Sequence, residues 1–512
     1  MNTATPWQPD TTSAPLQEPA RETARKAPRL GIALIATAAF AAEMAVSGRY
    51  GYVRDELYFL AAGHHPAVGY VDQPALTPLL ARLTAGLTGN TVVGLRVLPA
   101  LCLAALVVLA ASMVRTAGGS RAATLLAALA TAVCSEFVGA MHELTTTTPD
   151  FVIWGIVLLL VMRMLASRNP RYWMAIGLAA GVGGAAKWNI AFLMGALLIG
   201  FAVSADARGL LRSRYLLIGG IVFVALVVPD LIWQAAHGWP NMDVFRHLQH
   251  DALKNRLLYW PAQLLFTGPV LVPVWIGGMR WLLRDPAGRE FRPLGVAALI
   301  VIALQFVLGG KPYYAGGIYT CLFAAGAIAL TARPAWTARS SRRLAAAMTA
   351  GGLIAAPIAI PVLPARFLHA VPLQKINYDL AESIAWPREV ALVAAEYRAL
   401  PAWVRSRTAI LAGNYGEAGA LARYGGQFGL PQAYSGANSF WYWGPPPASA
   451  TAAIAIGIKP DVLRAEFTHV TLVATFSNGL GVDDDEQGTK IYAVTGLKAP
   501  WSRSWTAFRH FG

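Results

Sequence analysis

Between residues 30 and 363 the sequence is divided into apolar runs close to the length that a helix needs to cross a hydrocarbon core, roughly 20 residues for about 30 Å. In lipid every backbone N–H and C=O must be satisfied internally, so a chain built of such runs folds as a bundle of spanning helices. Eleven runs stand out, near 30–47, 93–114, 122–140, 150–166, 172–186, 188–205, 215–234, 262–283, 294–309, 316–332 and 344–363, the fifth and sixth meeting around Lys187. Only 13% of residues are charged, against about a quarter in soluble chains, which excludes a soluble globule, a disordered chain, a collagen-like fibre and a disulfide-rich miniprotein. Cys102, Cys134 and Cys321 all lie inside apolar runs, so neither a disulfide framework nor a zinc motif follows.

The net charge of +15 does not point to nucleic acid, because the basic residues occupy short turns between apolar runs, where lipid phosphate is the natural partner. Of the 42 Lys and Arg, 20 precede the first run or follow the second, fourth, sixth, eighth and tenth. Since Lys and Arg mark the cytoplasmic side, the expected topology has eleven spans, a cytoplasmic N-terminus and an extracytoplasmic C-terminal segment. The first run reads as a retained span rather than a cleaved signal peptide. Residues 1–28, rich in Thr, Pro and Ala, read as a disordered cytoplasmic tail, and residues 29–363 as the membrane domain, whose first outer loop is 48–92.

From residue 364 the composition changes to 13 Lys and Arg against 11 Asp and Glu. Strand-like runs at 408–411, 452–456, 470–474 and 491–494 alternate with helical patterns near 380–398 and 416–424. The expected fold class is therefore mainly α, a polytopic membrane helix bundle of about 11 spans with a C-terminal extracytoplasmic α/β domain over 364–512.

Ionisable groups near a membrane are costly, so those gathered at span ends on one side carry a functional hypothesis. The topology puts Asp55 and Glu56, Asp72, Asp150, Lys187 and Lys311 on the outer side together. Carboxylates could abstract a proton from an acceptor hydroxyl while lysines stabilise a departing phosphate. Hard oxygen ligands are compatible with a divalent metal ion without requiring one. Plainer roles exist for each group. Asp150 after Pro149, and Asp72 before Gln73-Pro74, suit helix caps; the lysines suit interfacial snorkelling; Asp55 and Glu56 suit a solvated loop. His64, His65, His237, His247 and His250 read as loop histidines.

An Asp55-Glu56 pair in the first outer loop, Gly69-Tyr70-Val71-Asp72-Gln73-Pro74, Pro149-Asp150 opening the fourth span and Gly310-Lys311-Pro312-Tyr313-Tyr314 together resemble the GT-C membrane glycosyltransferases. More closely, the chain resembles the bacterial branch related to protein O-mannosyltransferases and the lipid A aminoarabinose transferase, over most of residues 30–332. The order of the motifs and their shared side carry the resemblance. It implies a polyprenyl phosphate sugar as donor, inverting transfer to an extracytoplasmic lipid, glycan or protein acceptor, and no nucleotide sugar. It also implies Asp55 as the catalytic aspartate with Glu56 as its partner, Asp72 and Asp150 as orienting or metal-holding acids, and Lys311 with Tyr313 or Tyr314 near the donor phosphate. The aminoarabinose enzymes carry Glu-Lys-Pro where this chain has Asp72-Gln73-Pro74, and Arg-Tyr where it has Tyr58-Phe59; Lys187 is the expected substitute for that missing cation. Asn414 to Ala420 and Asn438 to Trp441 look like segments of uncharacterised bacterial members, with Glu417 and Trp441 as candidate acceptor contacts. The rival classes are a secondary transporter, which would place polar groups at the bilayer midplane on broken helices, and a noncatalytic membrane assembly protein.

Overall fold

A computed structural model of the protein describes residues 28–512, so the expected tail over 1–28 lies, but for Pro28, outside the described residues. Among the described residues six helices are long and apolar enough to cross a membrane: Arg29–Val46, Val92–Thr116, Thr147–Ser167, Arg214–Ala236, Pro286–Leu308 and Pro312–Thr331. A seventh is counted if Ala252–Thr267 and Pro269–Arg284, which meet at 88°, form one broken span. Eleven spans are therefore not confirmed. Arg121–Val133, Tyr172–Gly184 and Ile190–Val203 have 13, 13 and 14 residues, about 20 Å of helix each, well short of a hydrocarbon core. Ala338–Ala359 has the length, with 22 residues, but opens on Arg339, Arg342 and Arg343. The apolar runs were real but polar breaks inside them shorten the helices. Cys134, in extended conformation, ends the third run after Val133, and the fifth and sixth are parted by Ala185 to Asn189.

Local chemistry sets several ends. The Thr91 and Ser120 hydroxyls accept the Gly94 and Ala123 N–H groups at 3.0 and 3.1 Å and cap the helices that follow. Gly309, at φ +66°, supplies the left-handed residue that ends Arg292–Leu308.

The basic turns gather at one end of the bundle. Arg289 pairs with Asp206 at 2.7 Å, Arg168 donates to the Asp206 carbonyl, the Trp173 indole donates to Leu210 O at 3.0 Å, and Ser120 meets Thr331. At the other end Tyr50 donates to Leu363 O at 2.8 Å, Gly51 N to Ser383 O at 2.7 Å and Leu76 N to Ala185 O at 2.9 Å.

The C-terminal region sits on that second end. It is built on a mixed five-stranded sheet of β1 (Thr408–Ala412), β2 (Ala433–Ser435), β3 (Ala452–Ile456), β4 (Phe467–Thr475) and β5 (Lys490–Leu497), in the order β2-β1-β3-β5-β4. β1 runs parallel to β2 and β3, and β5 antiparallel to β3 and β4. β1 and β3 are buried on both faces, which is why they read as unbroken apolar runs. One face packs Ile410, Ile454 and Ile456 against Val390, Val393, Ala418 and Leu421 of two helices, Trp386–Ala399 and Tyr415–Tyr424. Leu57, Tyr58 and Phe59 of the first outer loop join the same core. The other face packs Ala409, Leu411 and Phe467 against Trp501, Trp505 and Phe508. A Cβ at Gly419 would lie 2.8 Å from Leu57 Cβ and 2.9 Å from its carbonyl carbon, so glycine there lets Tyr415–Tyr424 lie directly on the helix that follows Arg54.

Candidate active site

Asp55 and Glu56 open the helix Arg54–His64, where acidic side chains suit the positive end of the helix dipole. The two neighbours point in different directions. Glu56 is fully buried and faces the fully buried Arg96: Nε reaches Oε1 at 3.1 Å and Nη2 reaches Oε2 at 2.9 Å, a bidentate pair. The Val53 and Leu144 N–H groups donate to the same carboxylate at 3.0 and 3.1 Å. Arg96 spends its remaining donors on Ser47 O, Gly51 O and His142 Nε2. His142 Nδ1 lies 3.0 Å from Glu43, and burial followed by the Arg96 charge lowers its pKa well below the usual imidazole range, so a neutral ring that donates from Nδ1 and accepts at Nε2 satisfies both neighbours. Both oxygens of Glu56 are thus spent inside this knot. The expected pairing of Glu56 with Asp55 at a reacting centre is not what the geometry builds, because a carboxylate this deep needs its counter-charge. Sequence reading missed Arg96, Glu43 and His142; Arg96, lone and charged at the mouth of an apolar run, was the available signal.

Asp55 instead keeps an open side. Its Oδ1 accepts the Tyr415 hydroxyl at 3.1 Å, and its charge is felt by Lys187, Glu143, Asp379 and Tyr313. Lys187, in the connection between two short apolar helices, donates to Thr147 Oγ1 at 3.2 Å and stands 4.6 Å from the centre of the Tyr314 ring and 5.3 Å from that of Tyr313. Lys311 lies 5.9 Å from the Tyr313 ring centre. Burial, reinforced by Lys311 and opposed by Asp150, pulls the Lys187 ammonium down to about 8. Asp150 sits beneath, fully buried, taking the Asn189 amide at 3.2 Å, while Asn189 also donates to Tyr314 O at 2.8 Å and accepts Gln305 at 3.0 Å. Asp150 thus braces the Lys187 connection through Oδ2 and Asn189, while its Oδ1 is buried without a partner among the described residues. Residues 55, 187, 311, 313 and 314 come together at the end of the bundle opposite the arginines.

Two acids join them that sequence reading passed over. Glu143 and Asp379 lie near enough to feel one another's charge, and Asp379 also feels Lys311. Burial and then the neighbouring Asp379 raise Glu143 well above the carboxylate range, and burial and then Asp55 push Asp379 up to about 6. Asp379 falls outside the expected membrane domain, so nothing local tied it to this end of the bundle.

Asp72 is tied elsewhere. It accepts the Tyr58 hydroxyl at 2.8 Å and the Asn438 amide at 3.1 Å, and burial lifts it to about 7. Tyr58 and Val71 N also bond Ser439, at 2.8 and 3.1 Å, so Asp72 fastens the Gly69 to Pro74 turn to the C-terminal region. Beyond that turn lies a separate cavity of about 390 Å³, lined by His65, Tyr70, Trp233, His237, Tyr442 and Trp443 among others. His65 stacks on Trp443 at 4.2 Å and Trp233 on His237 at 4.0 Å. Trp441 is not among the lining residues; its indole points to Trp505 O at 3.4 Å. Glu417 is buried, accepting Gly413 N and Asn414 N at 2.8 and 3.1 Å as a capping glutamate. Glu417 thus caps its own helix through Oε2, and Trp441 packs within the C-terminal region, both away from the aromatic cavity.

Residues 72–233 match the family model described as dolichyl-phosphate-mannose-protein mannosyltransferase, about a third of the chain. No curated protein matches in sequence. Among solved structures, the chain is similar to ArnT from Cupriavidus metallidurans bound to undecaprenyl phosphate, at 14% identity and a TM-score of 0.59 over 91% of this chain and 98% of that one. The apo state of ArnT gives 14% identity and a TM-score of 0.57, over 90% and 97%. The arabinofuranosyltransferase AftD from Mycobacteria, as the R1389S mutant, gives 14% identity and a TM-score of 0.50, over 91% of this chain and 42% of that one. Fold, apolar helices and family-model match point the same way: the chain has helices long and apolar enough to cross a membrane, shares the fold of the ArnT glycosyltransferase, and is similar over residues 72–233 to the mannosyltransferase family.

Proposed function

We propose that the protein is an inverting glycosyltransferase of the bacterial inner membrane, with a cytoplasmic N-terminus and an extracytoplasmic C-terminus, moving a sugar from a polyprenyl phosphate to an extracytoplasmic acceptor. The observation that carries this reading is the gathering of Lys187 and Lys311 about Tyr313 and Tyr314, within reach of the Asp55 charge at Lys187 and Tyr313, at the end of the bundle away from the basic turns. Asp55 takes the proton of an acceptor hydroxyl as its oxygen attacks the anomeric carbon, and the carbon–oxygen bond to the lipid phosphate breaks on the opposite face. Lys187 and Lys311 bind that phosphate and stabilise the charge it gains on leaving. Glu56 and Asp150 hold the elements that carry Asp55 and Lys187, and Asp72 seats the turn facing the aromatic cavity. Stacked rings without a lysine or arginine in that cavity suit the face of a pyranose better than a phosphate. The ArnT structure bound to undecaprenyl phosphate supports the donor class.

A divalent metal fits this chamber poorly. Lys187 and Lys311, set about Tyr313 and Tyr314, already supply cationic charge there. The test is transfer itself. Purified protein in nanodiscs, given labelled polyprenyl phosphate sugar and extracted envelope acceptors, is expected to yield labelled acceptor and free polyprenyl phosphate in equal amounts. Movement of a solute across the disc with no such product would overturn the reading in favour of a transporter.

A further inference from the structure

The C-terminal region holds a second acidic cluster that the reaction does not use. Glu389 from the helix Trp386–Ala399, Glu417 from Tyr415–Tyr424 and Glu486 from the connection between β4 and β5 are 2%, 1% and 6% exposed. One carboxylate oxygen from each lies within 4.8 Å of the others. Among the described residues the cation paired with this group is Arg54, which reaches Glu486 at 3.1 Å and also pairs with Glu382 and, at 3.3 Å, with Asp485. Asn414 donates to Glu486 at 3.3 Å, and Glu417 takes two backbone N–H groups. Glu389 Oε1 is buried with no partner at all. Four buried glutamates, Glu382, Glu389, Glu417 and Glu486, therefore share one guanidinium. Buried charges without a counter-charge are costly, so the group must hold protons or a cation.

The donor set decides which cation. It is all oxygen, with no histidine or cysteine, as hard cations require. Oxygens on opposite sides of a Ca²⁺ ion stand about 4.6–5.2 Å apart, twice the usual bond length, so separations within 4.8 Å leave room for such an ion after small side-chain shifts. A Cβ on Gly457 would come within 2.1 Å of Glu417 Oε1, so the backbone crowds this carboxylate and holds it in place. We propose that Glu389, Glu417 and Glu486 bind a hard divalent cation of the Ca²⁺ class, which clamps the β4–β5 connection and two helices around Arg54 and so positions the neighbouring Asp55.

The test uses the full chain in detergent, stripped with EDTA and titrated calorimetrically with CaCl₂, in two buffers of different ionisation enthalpy. Expected are one saturable Ca²⁺ per chain with proton release, a thermal midpoint raised by Ca²⁺, and at least tenfold weaker binding in Glu389→Gln. Loss of one buried negative charge should leave Glu389→Gln folded and, without Ca²⁺, at least as stable as the parent. Uptake of neither Ca²⁺ nor Mg²⁺ by the parent chain would show that the cluster holds protons only and overturn the proposal. Binding unchanged in Glu389→Gln, or Zn²⁺ displacing Ca²⁺ at equal concentration, would overturn it as well. The readout is cation binding, so it stands or fails apart from the transfer reaction.

Discussion

Replacing Glu56 by Gln separates a positioning role from a reacting one. In the parent, four N–H groups converge on its carboxylate, two from Arg96 and one each from Val53 and Leu144, at 2.9–3.1 Å. An amide keeps one accepting oxygen and turns two hydrogens on the other pair of donors. One backbone N–H and one guanidinium N–H then lose their partner, each a loss of about 1–3 kcal/mol. The Arg96 charge also loses its bidentate counter-charge, and breaking a buried pair at one end costs about 3–5 kcal/mol in all. Denaturant unfolding in mild detergent, followed by tryptophan fluorescence, should show the native state weakened by about 3–5 kcal/mol, while the folded fraction binds polyprenyl phosphate within threefold of the parent. A variant as stable as the parent but without transfer would refute the argument and return Glu56 to the reaction.

Protonation of Lys187 gives a pH signature. Its folded-state pKa is depressed to about 8, so the ammonium that pairs with phosphate is present below pH 8 and lost as pH rises through it. Polyprenyl phosphate affinity should fall up to about tenfold per pH unit above 8, and isothermal titration of Lys187→Met should show weaker binding with that dependence gone; a parent profile flat to pH 10 would contradict the assignment. Trp443→Ala removes the ring stacked on His65 in the aromatic cavity. It should raise the acceptor KM about tenfold, as loss of roughly 1–1.5 kcal/mol of ring contact implies, with kcat unchanged; an effect on the donor instead would assign the cavity to the donor sugar.

How legible the site was follows from range of interaction. Asp55, Lys187 and Lys311 were placed on one side by the spacing of arginines, because charge asymmetry is a property of whole turns and survives errors in helix ends. Span number did not survive, since it depends on lengths that Cys134 or Ala185 to Asn189 cut short inside apolar sequence. β1, β3, β4 and β5 announced themselves by apolar runs, whereas the three residues of β2 exist only through pairing with β1. The split fates of Asp55 and Glu56 could not be read locally, because adjacent helical positions point about 100° apart and only Arg96, forty residues on, selects which is buried. Glu143 and Asp379 meet across more than two hundred residues. Glu417 had a local signal, three residues after Asn414 in a capping box, which points to helix capping rather than to an acceptor.

The central claim is that Asp55 acts on the acceptor proton while the lysines hold the donor phosphate. Asp55→Asn keeps the oxygen that accepts the Tyr415 hydroxyl but cannot take a proton. Single-turnover transfer from labelled polyprenyl phosphate sugar should fall by at least a hundredfold in this variant, within the range of general-base catalysis, while equilibrium binding of polyprenyl phosphate stays within twofold. Transfer within threefold of the parent, with the protein folded and the donor bound, would contradict the account.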